Sequence, residues 1–302
     1  MMASSRRHLS LLISAMLVGA LLAAVPATAR AASTAASASP RCSPLVPFNA
    51  ERFLKRPDID NKWLPLAPGN NTVLSGTVRG DDGKLHPHTI VSTVTDLTKM
   101  IDGVRTLVVF ERDIQDGQLQ ESELAFEAQD LAGRVWNLGE YPEEYEDGKL
   151  IGAPSTWIAG LQGAIPGIAM LADPRLHRQS YLQGRAPAVD FFDCGKVVKT
   201  QQRVCVPVRC FNDVLVVDEW DPLDPEGGHQ LKYHAPHVGV IKVGATGGAN
   251  PEVLSLVKIG KLSATAFAKI RSQVIAQDRR GYRVSKVYAR TAPLRPLSQV
   301  DD

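Results

Sequence analysis

The chain lacks any excess of charge. Its 34 basic and 32 acidic residues leave a net charge of +2, too small a field to draw in nucleic acid or an anionic membrane surface. It lacks the motifs of several catalytic classes as well. There is no G-x-S-x-G nucleophile turn and no H-E-x-x-H helix. Gly244-Ala245-Thr246-Gly247-Gly248 is glycine-rich but is not followed by the lysine–serine pair of a phosphate-binding loop, so it reads as a hairpin connection. Ser155, within Ala153-Pro154-Ser155-Thr156, reads as a loop residue rather than a nucleophile. No internal repeat is present, and only one apolar run approaches the length of a membrane span, about 20 residues.

That run lies at the N-terminus. Arg6, Arg7 and His8 precede a nearly continuous apolar stretch from Leu9 to Val25, and Ala27-Thr28-Ala29 and Ala29-Arg30-Ala31 offer small residues for cleavage. A positive flank, apolar core and small-residue exit make a secretory signal. The expected organisation is a signal peptide over 1–31, a flexible leader over 32–47, an antiparallel β domain over 48–262, a C-terminal helix over 263–281 packed on it, and a loose tail over 282–302. Signal cleavage would leave no stable membrane span and a secreted, periplasmic or cell-envelope protein. Export also gives weight to Cys42, Cys194, Cys205 and Cys210. With no C-x-x-C pair to suggest a metal, four cysteines in an oxidising compartment are disulfide candidates. Three pairings are open. A bridge among the last three would staple one hairpin, and one from Cys42 would tie the leader to the sheet.

The body of the chain is punctuated for β-structure. Asp102-Gly103, Asp116-Gly117 and Asp147-Gly148 each separate runs rich in β-branched residues, the pattern of tight antiparallel hairpins. Phe48 to Arg56 reads as a short helix. Gly152 to Pro187, with repeated Gly and Pro around apolar residues, reads as a partly buried connection, a candidate lid or cavity rim. Asp213 to Trp220 has apolar residues on both faces, as a central strand would. Ser263 is placed to cap a helix whose stripe is Ala266, Phe267, Ile270 and Val274, with Gln277 ending the buried face and Gly281 the helix. The fold class expected is mainly β: an antiparallel meander forming a curved sheet or open barrel, with one C-terminal amphipathic helix.

Three segments carry a resemblance. Asn61-Lys62-Trp63-Leu64-Pro65-Leu66-Ala67-Pro68-Gly69 resembles the N-x-(aromatic)-x-P-L-x-P-G opening of a family of uncharacterised exported bacterial proteins. Tyr233-His234-Ala235-Pro236-His237-Val238-Gly239-Val240-Ile241-Lys242 is similar to that family's Y-x-A-P-G-V-G-x-(V/I)-K segment, with His237 standing in place of a glycine. Phe211-Asn212-Asp213-Val214-Leu215 resembles its F-x-(D/N)-V-L strand. The likeness implies an open-barrel sheet similar to periplasmic lipoprotein carriers, and it brings no catalytic residue with it.

Polar clusters remain. His86 and His88 share a strand face by their spacing of two, and His234 and His237 flank a proline corner. Four imidazoles could meet to bind zinc or copper, although exposed strand-end histidines account for them more simply. Of the six histidines after the signal, His177 and His229 suggest no grouping. Glu140, Glu143, Glu144, Glu146 and Asp147 read as a solvated hairpin tip, and Asp218, Glu219, Asp221, Asp224 and Glu226 as a polar strand end. Trp63, Trp136, Trp157, Trp220, Tyr141, Tyr145 and Tyr181 could line a cavity but are expected chiefly in the core. No cofactor is expected. The leading expectation is a non-catalytic exported β-protein holding an apolar small molecule or an envelope protein partner. The alternative is a metal-dependent hydrolase built on the four histidines.

Overall fold

At three Asp-Gly pairs both residues adopt positive φ: 45° and 79° at Asp102-Gly103, 52° and 76° at Asp116-Gly117, 49° and 74° at Asp147-Gly148. Such two-residue turns match the twist of the strands they join, so local chemistry alone sets the register of three hairpins. The structure, a computed structural model, describes residues 42–176 and 179–301. The signal segment, the leader up to residue 41, and His177 lie outside the described residues.

The strands are β1 (Asn70–Arg79), β2 (Leu85–Ile101), β3 (Val104–Gln115), β4 (Gln118–Gln129) and β5 (Val135–Glu146). Short strands β6 (Lys149–Gly152) and β7 (Trp157–Ile158) follow, then β8 (Ile165–Met170) and β9 (Tyr181–Ala186). The second half holds β10 (Phe191–Val206), β11 (Arg209–Trp220), β12 (His229–Ala235), β13 (Gly239–Thr246) and β14 (Glu252–Lys261). Helix α1 (Ala264–Val284) and the two-residue strand β15 (Arg295–Pro296) complete the chain. Twelve strands pair antiparallel in the order β1-β14-β13-β12-β11-β10-β9-β8-β5-β4-β3-β2, and β2 pairs back to β1. The sheet expected to curl therefore closes into a barrel, with β6 and β7 added against β5 and β15 against β2.

Three expectations are corrected here. The Gly152–Pro187 segment is no lid, because β8 and β9 are staves of the wall. Its glycines serve close strand approach: a Cβ on Gly167 would lie 2.1 Å from the backbone of Gln183. Phe48 to Arg56 holds only a 3-10 turn, Ala50–Arg52, after which Phe53 bridges Asp130. The C-terminal tail is not loose. Tyr288 is fully buried in the main core, and Arg295–Pro296 pair with Leu97 and Thr98.

Helix α1 begins as its sequence suggests, with Ser263 Oγ accepting from the Ala266 N–H. It ends three residues later than expected, at Val284, with an extended Ser285 as C-cap. Gly281 is inside the helix, where a Cβ would lie 2.4 Å from the Tyr288 ring. The glycine is there for contact, not termination. Nor does Gln277 end the buried face. It accepts from Ser122 Oγ at 2.7 Å and donates from Nε2 to the Ser122 carbonyl at 2.5 Å, so the helix is docked by polar as well as apolar groups.

The helix covers the outside of the barrel. Phe126 of β4 meets Tyr288 at 6.2 Å between rings, and Tyr141 of β5 stacks on Tyr288 at 4.2 Å. Buried Lys99 bonds Asp278 at 2.8 Å and lies 4.1 Å over the Tyr288 ring. Burial lowers its pKa to about 8 against the pull of Asp278. Two disulfides settle the open pairings: Cys42–Cys194 and Cys205–Cys210. The first ties the start of the described chain to β10, within a cluster of Leu182, Phe192 and Trp220. The second staples the β10–β11 hairpin.

Candidate functional site

Side chains alternate across a strand, and register fixes which residues of β3, β4 and β5 share a face. Val109 opposes Ala125, Glu111 opposes Glu123, and Ala125 opposes Glu140. Ser122 and Phe126 on the other face touch the helix and Tyr288, as described above. Glu111, Glu123, Glu127 and Glu140 consequently point inward, and they line a cavity of about 410 Å³ within the barrel. Gln183 of β9, Glu219 of β11, and Lys232 and His234 of β12 complete its polar side. Leu74, Ile90, Val94, Val238, Val240 and Leu64 are among its apolar lining. His237, Ile259 and Lys261 line it while exposed to solvent, which marks the mouth.

The acids are held in place by specific partners. Asn137 Nδ2 donates to one oxygen of Glu140 and Trp157 Nε1 to the other at 3.0 Å. Gln183 Nε2 donates to Glu219 at 3.0 Å, and Lys232 pairs with the second oxygen of Glu219. Burial pushes the Glu140 carboxyl up to about 7. Burial and then the neighbouring acids, Glu140 first, hold Glu123 and Glu127 well above the usual carboxylate range. Burial raises Glu111 too, against a hydrogen bond from Ser92. Lys232 keeps its charge because the Glu219 carboxylate outweighs the desolvation that works against it.

His234 contributes differently. Its Nδ1 lies 3.2 Å from the Trp63 carbonyl, which can only accept, so the proton sits on Nδ1. Burial lowers the ring's pKa to about 4, leaving a neutral imidazole. Nearby, the His237 N–H donates to the Lys62 carbonyl at 2.6 Å. Two of the segments singled out in the sequence, Asn61–Gly69 and Tyr233–Lys242, are thus joined at the cavity mouth. Asn61 anchors the first of them. Its Nδ2 donates to the Gly133 and Leu171 carbonyls, and its Oδ1 accepts from the Trp63 and Leu64 N–H groups. His237 occupies the left-handed region at φ 60°, a conformation that a glycine would hold with less strain.

The four candidate histidines are not assembled together. His86 bonds Asp116 at 2.8 Å and Asp82 at 3.1 Å. Buried His88 bonds Asp113 at 2.6 Å and Glu252 through its other nitrogen. Burial opposes its charge, but the two carboxylates prevail and carry its pKa to about 10. An imidazolium donating from both nitrogens has no lone pair for a metal. Among the described residues, no group of three or more His, Cys, Asp or Glu side chains is placed to hold a metal ion.

The acidic clusters were misplaced by sequence reasoning. Glu140, Glu143 and Glu144 are buried rather than solvated at a hairpin tip. Glu140 faces the cavity, whereas Glu143 faces outward and is gripped by Arg280 of α1 at 2.6 Å and by the hydroxyls of Tyr141 and Tyr145. Glu219 is inward, and Asp221 is buried, its pKa raised to about 7 by that burial. Glu111, Glu123, Glu127, Gln183 and Lys232 were not singled out at all. For Glu123 and Glu127 the signal is the Glu-x-Glu alternation of 121, 123 and 127 opposite Leu124 and Phe126, whereas Glu111, Gln183 and Lys232 carry no comparable local signal. As expected, Trp63, Trp136, Trp157, Trp220, Tyr141 and Tyr181 are buried in the packed clusters.

No protein-family profile matches the chain, and no curated protein matches it. Among solved structures, it is similar to a protein from Bacteroides fragilis NCTC 9343, inferred to be exported and described as having a YmcC-like fold. The identity is 13% and the TM-score 0.36, over 67% of this chain and 100% of that one. A second is an inferred lipoprotein from Parabacteroides distasonis ATCC 8503, at 10% identity and a TM-score of 0.33 over the same shares. Likenesses this slight carry no argument about the site. Among the described residues, no helix is long and apolar enough to cross a membrane.

Proposed function

We propose that the protein is an exported, non-catalytic barrel that binds a small molecule in its lumen. The observation that carries this reading is the cavity itself. Protein interiors are packed with few voids larger than a water molecule, yet this lumen keeps about 410 Å³ open, within the range of about 300–1,000 Å³ common to small-molecule sites. Export is supported by the N-terminal signal pattern and by two disulfides, bonds that persist in oxidising compartments. The lining adjusts the sequence-based expectation of an apolar ligand. One part of the wall is apolar, but Glu111, Glu123, Glu127 and Glu140 occupy another, so an occupant needs an apolar body and a polar end.

The test is saturable binding of an uncharged, environment-sensitive dye to the purified full chain, with Ala125→Trp as the blocked control. Ala125 lines the cavity from β4, and an indole there fills the space. The reading requires binding at about one site per chain in the native protein and its loss in the filled variant. Equal binding by both would place the dye elsewhere and refute it.

A further inference from the structure

The lumen contains buried polar atoms without partners, and they are of one kind. His234, buried, has its proton on Nδ1, which leaves Nε2 as a lone pair with nothing bonded to it. Gln183, also buried, uses its amide N–H on Glu219, and its Oε1 is unmatched. Glu127 Oε2 is unmatched too. These atoms come from β12, β9 and β4 and line one cavity. Two are acceptors in every form the structure allows, and the third is one whenever its carboxyl is ionised. A buried polar atom left unpaired costs about 1–3 kcal/mol, so three around one void point to an occupant that supplies donors.

Charge points the same way. Glu111, Glu123, Glu127, Glu140 and Glu219 face the cavity, against Lys232 and a neutral His234. His237 and Lys261 stand at the exposed mouth. The Lys232 ammonium is paired with Glu219. Beside the acids, Leu74 on β1, Ile90 and Val94 on β2, and Val240 on β13 offer an apolar surface.

We propose that the lumen takes a small amphipathic organic cation, its ammonium or amidinium head among Glu127, Gln183 and His234 and its apolar body against Leu74, Ile90, Val94 and Val240. This rests on the reading that the lumen binds a small molecule, and it names the class of that molecule. An ammonium brings three donors and a charge that offsets the acids, whereas an alcohol brings one donor and a carboxylate adds to the repulsion. Burial holds Glu123, Glu127 and Glu140 above their usual range, which favours the protonated forms of these carboxyls in the empty lumen. An arriving cation favours their ionised forms, and protons leave as it enters.

The experiment uses the full secreted chain with the uncharged dye as a common reporter. Octylammonium, 1-octanol and octanoate, matched in apolar length and kept below micellar concentration, compete for it near neutral pH. Calorimetry of octylammonium binding in two buffers of different ionisation enthalpy counts protons. The expected order is octylammonium first, by about tenfold over octanol (about 1.4 kcal/mol), with octanoate last and protons released on binding. Glu127→Gln should remove most of the ammonium's advantage over octanol, and Glu111→Gln serves if that variant does not fold. Dye binding with octanol or octanoate equal to or better than octylammonium, or ammonium binding without proton release, would overturn the cation while leaving the lumen reading intact. Failure of the dye and all three competitors to bind would instead remove the lumen reading itself.

Discussion

The two faces of β4 obey opposite rules. Outward, Ser122, Leu124, Phe126 and Ala128 are buried beneath α1, Tyr288 and the N-terminal segment, in a packed core where the Ser122 hydroxyl donates to Gln277. Inward, Glu123 and Glu127 face an open cavity with acceptors left unmatched. A small barrel ordinarily fills its interior with side chains. Here part of the packing lies outside the wall, between sheet and helix, and the lumen keeps ionisable groups that would be costly in a filled core. Stability and binding are assigned to opposite sides of the same strand.

Breaking the outer face should have the largest effect. Phe126→Ala removes a fully buried ring from the sheet–helix interface, at a cost of about 3–5 kcal/mol, read by guanidinium denaturation of the native-disulfide protein. Next comes the tether that fixes the start of the described chain to β10. Cys42→Ser with Cys194→Ser opens a loop whose ends are separated by 152 residues, and a loss of about 2–5 kcal/mol is expected. If the outer face carried little energy, the Phe126→Ala loss would fall to that of a surface substitution, within about 0.5 kcal/mol.

The inner face should answer in pH rather than in bulk stability. Carboxyls whose native pKa is raised bind more protons folded than unfolded, so they destabilise the fold as they ionise. The stability curve should therefore fall as pH rises from about 4.5 through about 7, the window set by Glu140. His88 acts at higher pH. Its raised pKa means that its contribution is complete below about 6.5 and is lost as pH rises through about 10. In His88→Gln the upper decline should vanish while the lower one persists, as measured by thermal melts across pH. The smallest effect is expected from Glu127→Gln, which removes a buried ionisable carboxyl without emptying space. It should change neutral-pH stability by no more than about 1 kcal/mol, in the stabilising direction, and flatten the lower decline.

What was legible in the sequence was local. Three Asp-Gly turns and the Val-rich run 214–217 announced an antiparallel sheet, and Ser263 announced the helix start. Binary patterning, however, reports only that a strand has two unlike faces. It does not report which face is inside. Leu124 and Phe126 invite the assumption that apolar means interior to the barrel, and the acids opposite them then look solvent-exposed. Only the docking of α1 and Tyr288 on the outer surface reverses that assignment. The same non-local cause hid Gln277 and Gly281, whose roles depend on Ser122 and Tyr288 rather than on their own helix. It also hid β8 and β9, because Gly167 and Gly184 look like loop residues until the backbone of Gln183 and the ring of Phe191 are set against them.

The most direct test of this inside-out arrangement is a carboxyl-carbon NMR titration of the glutamates. Glu123, Glu127 and Glu140 are expected to titrate well above the ordinary glutamate range, with Glu140 near 7. Ordinary midpoints near 4.3 for all three would put them in solvent and contradict that arrangement.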